Sequence, residues 1–543
     1  MSPAAPLSAM FPTSDAVPPQ ARPPSPTARI LVNGELRLWD GPRREISSPL
    51  WLRAAADAEP TSPVLGEAPS VSVEVALEAL AAARRAWSFG TGAWPTMRVE
   101  DRIEAVEKFL RGMVAMREPV CRLIMWEIAK SWTDAQAEFD RTVQYIRDTI
   151  EALKDLDRQS ARLQFKDGII AQIRRAPLGV TLCMGPFNYP LNETMTTLIP
   201  ALIMGNTCVV KLPRYGVLLW DPLLEAFQSS FPPGVINIIN GEGQKIIPPL
   251  LHSGQVDVLA FIGSSKAADS IKAAHPHPHR LRSILGLDAK NPAVILQDAD
   301  LALTVSECIK GTLGFNGQRC TALKMLFVHE RVADRFIADL ATAVDGLLNH
   351  LPWTPGVRLT PLAEPGKAAR LDAYVQDALQ HGATLVNAAS GGGSSSYSAY
   401  HPAVLANVRP DMRIYHEEQF GPILPIAVIR DAQEFIEYIT ASNFGQQASI
   451  FGQDPREIGQ LIDMLSNQVC RINLNTQCQR GPDIFPFTGR KDSAEGTLST
   501  SDALRSFSIR SMVAAPASQP GKRLVREILD NDDSHFLSTD IIL

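Results

Sequence analysis

Four short apolar runs within residues 178–263 constrain this chain more than any other feature. "LGVTLCMG" (178–185), "TCVVKL" (207–212), "VINIING" (235–241) and "VLAFIG" (258–263) are strand-length, and helix-length segments separate or follow them near 190–204, 217–229, 243–252 and 264–274. Short apolar strands alternating with helices build a parallel, doubly wound sheet. Such sheets bind ligands at the carboxyl ends of their strands. The residues just after each run are therefore the first place to look for chemistry.

The flanking regions extend this α/β pattern. From Ser72 to about Leu153, apolar residues recur at spacings of three and four, which predicts helices. "AVILQDADL" (293–301) opens a second strand-and-helix series that runs to about residue 475. "GGGSSS" (391–396) reads as a surface loop, and "SFSIRSMVAA" (506–515) as a late strand. Residues 1–27 are rich in Pro, Ala and Ser and have little periodic apolar content, so a disordered leader is expected there. "RILVNGELRLWDG" (29–41) alternates like a first hairpin. The prolines of "HPHPH" (275–279), with no partner carboxylates, favour a solvated loop over a metal site. The tail, 516–543, carries no pattern that assigns it a place.

Charge and cysteine usage narrow the function classes. With 52 basic and 58 acidic residues the net charge is −6, against a general nucleic-acid binder. The seven cysteines are odd in number, irregularly spaced and free of CxxC pairs. That argues against a disulfide framework or a zinc site and fits a reducing, cytoplasmic setting. No run approaches the ~18 apolar residues of a membrane span, and the N-terminus lacks a secretory pattern.

"FNGQRCTALK" (315–324) sets Arg319 directly beside Cys320. Positive potential lowers a thiol pKa, so the pair suits a nucleophilic cysteine. The arginine could equally serve a negatively charged substrate, and a lone cysteine is often just a buried hydrophobe.

Taken in order, "GPFNYP" (185–190), "GNTCVVKLP" (205–213), "FIGSSK" (261–266), "FNGQRCTALK" and "EEQFGPILP" (417–425) resemble the aldehyde dehydrogenase superfamily across roughly residues 30–515. "GQRCT" and "CQRGPDIFPFTGRKDS" (478–493) are similar to its NADP-dependent, non-phosphorylating glyceraldehyde-3-phosphate branch. The resemblance implies an aldehyde dehydrogenase-like fold. A Rossmann-like cofactor domain would span 28–160 and 178–289, and an α/β catalytic domain 290–475. A β oligomerisation arm and substrate-site segment would combine 161–177 with 476–515. An arm strand without a sheet of its own leaves open edges unless a neighbouring subunit pairs with it, so a homodimer or homotetramer is expected.

The resemblance also implies the chemistry. An aldehyde gives up hydride readily only once a nucleophile has made it tetrahedral. A thiolate does so as a thiohemiacetal, and the thioester left behind is hydrolysed. Cys320 is the implied nucleophile, and Asn188 with the Cys320 N–H the oxyanion donors. NADP is the implied cofactor. Phe187, Gly263, Ser264, Glu418 and Phe420 would border it, and Lys211 and Arg214 in "KLPRYG" would take its adenosine end. An arginine at 214 suits a 2′-phosphate. Arg141, Tyr189, Arg319 and Arg480 are the implied donors to the substrate phosphate, and no metal is called for.

Two positions depart from the family pattern. Ala268 replaces a glycine of the phosphate-side loop. In "LGLDAKNP" (285–292) the general-base glutamate falls on Gly286. Residues two apart in an extended strand share a face, so Asp288, displaced by about 6–7 Å, is the nearest acid on that side and the expected substitute base.

Overall fold

The computed structural model describes residues 7–542. The four runs form strands Val180–Met184, Thr207–Lys211, Ile236–Ile239 and Val258–Ile262, joined by Arg282–Gly286. All five are parallel, and Val180–Met184 lies between Thr207–Lys211 and Val258–Ile262. Antiparallel strands flank them: Arg29–Val32 and Glu35–Leu38 at one edge, Ala494–Glu495 at the other. Chain order reverses between Val180–Met184 and Val258–Ile262. A doubly wound sheet opens its ligand crevice at such a reversal. Residues 185–188 leave one side of it, and 263–264 leave the other.

A second sheet of seven strands has Pro292–Ile295 between Met325–His329 and Gln447–Phe451. It is parallel except for the edge strand Thr384–Leu385. Both sheets are covered by helices, as strands buried on both faces require.

The long helix Trp132–Ser160 begins at Ser131, whose side chain accepts from the Asp134 N–H at 3.1 Å. A cap of this kind contributes about 1 kcal/mol. Its buried residues include Ala135, Glu138, Phe139, Thr142, Tyr145, Ile146 and Thr149, at helical spacing. That stripe puts Glu138 beneath the crevice.

Strand Ser508–Pro516 pairs along its whole length with Ile169–Pro177, which also pairs with Gln164–Lys166. Its other edge has no partner strand among the described residues. Ile509 and Met512 on it are exposed.

One expectation is corrected. The leader is packed over residues 7–27. Phe11 and Val17 are buried, and Trp126 Nε1 donates to the Ala21 carbonyl at 2.5 Å. Isolated apolar residues suffice there because they seat on a preformed surface, so no periodic pattern is needed. Residues 1–6 lie outside the described residues. The tail forms helix Gln519–Asp530 and then folds back, with Leu537 and Ile542 buried. In "HPHPH" the expected solvated loop is found, with Pro276, His277, Pro278 and His279 exposed; only His275 is buried, its Nε2 contacting the Val256 carbonyl at 3.1 Å.

Candidate active site

One cleft of about 800 Å³ lies where the crevice meets the second sheet. Asn188, Cys320, Asp288, Glu418, Phe420, Gly263 and Ser264 line it, and so do Arg141, Tyr189, Arg319 and Arg480. Seven segments distant in sequence thus converge.

The loop before Cys320 is held in an unusual conformation. Phe315 and Asn316 have φ of 48° and 55°, and Gly317 has φ of 70°. A Cβ on Gly317 would come within 2.7 Å of the Gly421 and Thr312 carbonyl oxygens, so glycine is required there. Asn291 Nδ2 and the Lys324 ammonium donate to the Cys320 carbonyl at 2.8 and 2.9 Å. The Cys320 N–H has no acceptor among the described residues. Asn188 Nδ2 donates to the Gln318 carbonyl at 2.8 Å, which leaves its second hydrogen for the cleft. The site therefore offers a thiol beside two free N–H donors.

Burial pushes the Cys320 thiol above its ordinary range. The Glu193 carboxylate adds to this, Lys324 and Arg480 pull it back, and Glu418 raises it further. Arg319 is turned away from that task. Its Nη2 donates to the Lys310 and Gly311 carbonyls at 3.0 and 2.9 Å, and its Nε is buried without a partner among the described residues.

Beneath Asn188 lies a buried ion pair. Lys130 Nζ is 2.5 Å from Glu138 Oε2, donates to the Asn188 carbonyl at 2.8 Å and sits 3.5 Å from the centre of the Tyr189 ring. Glu138 Oε1 accepts from the Leu191 and Asn192 N–H groups at 3.0 and 3.1 Å. The turn that presents Asn188 is thus fixed from below.

A second cleft of about 770 Å³ shares Phe187 and Ser264 with the first. Lys211 and Arg214 line it. Arg44 backs them, its guanidinium donating to the Arg214 carbonyl at 2.5 Å. Burial brings Lys211 down to about 8, and Arg44 and Arg214 add to the effect. Among the described residues no carboxylate forms an ion pair with any of the three, a donor set that suits a phosphate group.

With this geometry in view, a model of the aldehyde dehydrogenase family matches residues 54–513. The chain belongs to that family. It is 32% identical, over 471 residues, to an NADP-dependent glyceraldehyde-3-phosphate dehydrogenase of Streptococcus equinus, covering 86% of this chain and 94% of that one. A protein of the same name from Arabidopsis thaliana is 31% identical over 80% of this chain and 85% of its own length. A crystal structure of NADP-dependent glyceraldehyde-3-phosphate dehydrogenase from Bacillus halodurans C-125, complexed with NADP, aligns with a TM-score of 0.81 at 32% identity. That alignment covers 91% of this chain and 100% of that one.

Within this aldehyde dehydrogenase fold, Asp288 does not extend a strand. The strand ends at Gly286, and Asp288 Oδ2 accepts from the Ser265 N–H and hydroxyl at 2.7 and 2.8 Å. The acid thereby anchors the start of helix Ser265–Ala273. Glu418 is ion-paired with Lys324 and accepts from the Ala289 N–H at 3.3 Å; burial pushes it up against the pull of Lys324.

The arginines expected to meet a phosphate share the cleft, but two are already engaged. Asp483 accepts from Arg141 at 2.9 and 2.7 Å and lies 3.2 Å from Arg480. Glu193 pairs with the same Arg480. Burial alone would raise Asp483, yet Arg141 and Arg480 together hold it below the usual range. Sequence reasoning missed Glu193, Asp483, Lys324, Lys130 and Arg44. Each acts through a partner in another segment, and nothing local marks it.

Proposed function

We propose that this chain oxidises an aldehyde to a carboxylate with NADP as hydride acceptor, and that its substrate is glyceraldehyde 3-phosphate. The observation that carries this reading is the Cys320 thiol beside the free Cys320 N–H and Asn188, in a cleft joined to one where Lys211 and Arg214 have no carboxylate ion-paired to them among the described residues. The similarity to NADP-dependent glyceraldehyde-3-phosphate dehydrogenases supports it.

In this reading Cys320, once deprotonated, attacks the aldehyde carbon. Asn188 Nδ2 and the Cys320 N–H receive the oxyanion; such donors are worth about 2.7–4 kcal/mol each. Lys211, Arg214 and Arg44 would hold the 2′-phosphate. Phe187, Gly263, Ser264, Glu418 and Phe420 would border the nicotinamide end. Arg319, with its unpartnered Nε, leads in meeting the substrate phosphate, with Tyr189, Arg141 and Arg480 around it. The unpaired edge of Ser508–Pro516 is where a second copy would dock, as a dimer or tetramer. All seven cysteines are unbridged, in keeping with a cytoplasmic enzyme.

A second reading, an unphosphorylated aldehyde, is favoured by the carboxylates already paired with Arg141 and Arg480. The purified chain decides between them in steady-state assays with glyceraldehyde 3-phosphate and glyceraldehyde, each with NADP and NAD. Higher kcat/KM for the phosphorylated aldehyde and for NADP is expected. Equal efficiency with both aldehydes overturns the substrate assignment, and equal efficiency with both cofactors overturns the other.

A further inference from the structure

The carboxylate of Glu193 answers a question the cleft leaves open. Hydrolysis of the Cys320 thioester, the step implied by the reading above and on which this inference rests, needs a base to take a proton from water. Position 286 has none. Nothing in the fold imposes this lack, because a Cβ there would make only ordinary contacts, 3.4–3.7 Å from Ile262 and Leu498.

Four carboxylates line the cleft: Glu193, Asp288, Glu364 and Glu418. Asp288 anchors a helix start through Ser265. Glu364 lies 3.6 Å from Lys367 and also lines the second cleft. Glu418 is tied to Lys324 and the Ala289 N–H, on the side where the nicotinamide would lie. Glu193 has none of these ties. It opens helix Asn192–Ile203 five positions after Asn188, so the turn that presents the oxyanion donor also presents this acid. Arg480 holds its Oε2, while among the described residues its Oε1 meets only the Asn192 side-chain amide, at a long 3.4 Å. Among the carboxylates near Cys320 it exerts the strongest influence on the thiol. The fold gives it no helix end or backbone loop to hold.

We propose that Glu193 is the general base of thioester hydrolysis. Its Oε1 takes one proton from a water molecule as the water oxygen bonds to the acyl carbon. The C–Sγ bond then breaks with its electron pair on Sγ, the carboxylic acid leaves, and the proton held by Glu193 returns to the thiolate or passes to solvent. Water is consumed and no oxidant is needed. Arg480 serves as the positioning residue that aims the carboxylate.

Rapid mixing of NADP and glyceraldehyde 3-phosphate (or glyceraldehyde, if that is the aldehyde the unaltered chain oxidises) tests the assignment. Glu193→Gln keeps an oxygen for Arg480. It is expected to release a burst of about one NADPH per Cys320 and then turn over at least ~100-fold more slowly than the unaltered chain. Intact mass should show the acyl group retained on the protein. Hydroxylamine, which attacks a thioester without a base, should restore turnover. Glu193→Asp, a gentler change should the glutamine variant misfold, should slow deacylation with the same rescue. Unchanged steady-state turnover, loss of the burst itself, or failure of hydroxylamine to rescue a stalled acyl-enzyme each overturns the proposal. So does a stall in Asp288→Asn without one in Glu193→Gln. If the unaltered chain yields no NADPH from either aldehyde, the dehydrogenase reading itself falls.

Discussion

Arg480 and Glu193 form a buried ion pair inside the cleft that holds Cys320. Removing one partner of such a pair leaves an uncompensated buried charge, at a cost of about 3–5 kcal/mol. Arg480→Ala is therefore expected to lower the denaturation midpoint markedly, because both Glu193 and Asp483 lose a partner. A midpoint unchanged in urea titration would mean that the pair is not maintained in solution.

Arg319 tests the phosphate without that complication, since no carboxylate pairs with it among the described residues. Arg319→Ala should raise the KM for glyceraldehyde 3-phosphate at least tenfold, about 1.4 kcal/mol, and leave that for glyceraldehyde near its original value. Equal losses on both aldehydes would assign Arg319 to the cysteine loop, whose preceding helix it already caps through the Lys310 and Gly311 carbonyls.

Cys320→Ala should abolish NADPH formation and leave NADP binding intact. Asn188→Ala should lower kcat by ~10²–10³. Because burial raises the thiol, the acylation rate should climb with pH through the alkaline range as the thiolate fraction grows. A pre-steady-state rate independent of pH there would contradict a thiol that must first lose its proton.

Lys211 gives the cofactor cleft its own pH signature. Its folded value is about 8, against 10.5 for the free side chain. Between those values the unfolded chain binds more protons, so this residue makes stability rise with pH across the window. NADP affinity should move the opposite way, falling as pH rises through about 8, because a neutral amine cannot pair with phosphate. Fluorescence titration of NADP on either side of that pH, with Lys211→Met as the comparison, checks it. The variant should bind more weakly and lose most of the dependence.

Two glycines should respond differently to alanine. Gly317→Ala meets two carbonyl oxygens at 2.7 Å from a φ of 70°, so a cost of about 1–3 kcal/mol and a displaced Cys320 are expected. Gly286→Ala, with contacts no shorter than 3.4 Å, should change stability by less than about 1 kcal/mol. Chemical denaturation of the two variants side by side measures the contrast.

Much of the frame was legible because it is local. Val180–Met184 and its three companions are continuous apolar runs, and they read as buried parallel strands without knowledge of their neighbours. The motif residues were legible for the same reason, as Asn188 and Cys320 sit in short recognisable strings. What the sequence hid is pairwise and long-range. Arg44 reaches Arg214 across 170 positions, and Arg480 reaches Glu193 across 287. The leader misled because its apolar residues, Phe11 and Val17 among them, follow no period and are buried only by a surface built from elsewhere in the chain.

That leader bears on how the protein can be shortened. Trp126, which donates to the Ala21 carbonyl, adjoins Glu127, whose carboxylate accepts from the Val217 and Leu218 N–H groups just beyond Arg214. Trimming at the proline-rich stretch, as proteolysis or a conservative choice of start site would do, strips an acceptor from that indole. The loosening would be felt first along the adenosine side, so a shortened protein could keep its thiol chemistry and lose its grip on the nucleotide.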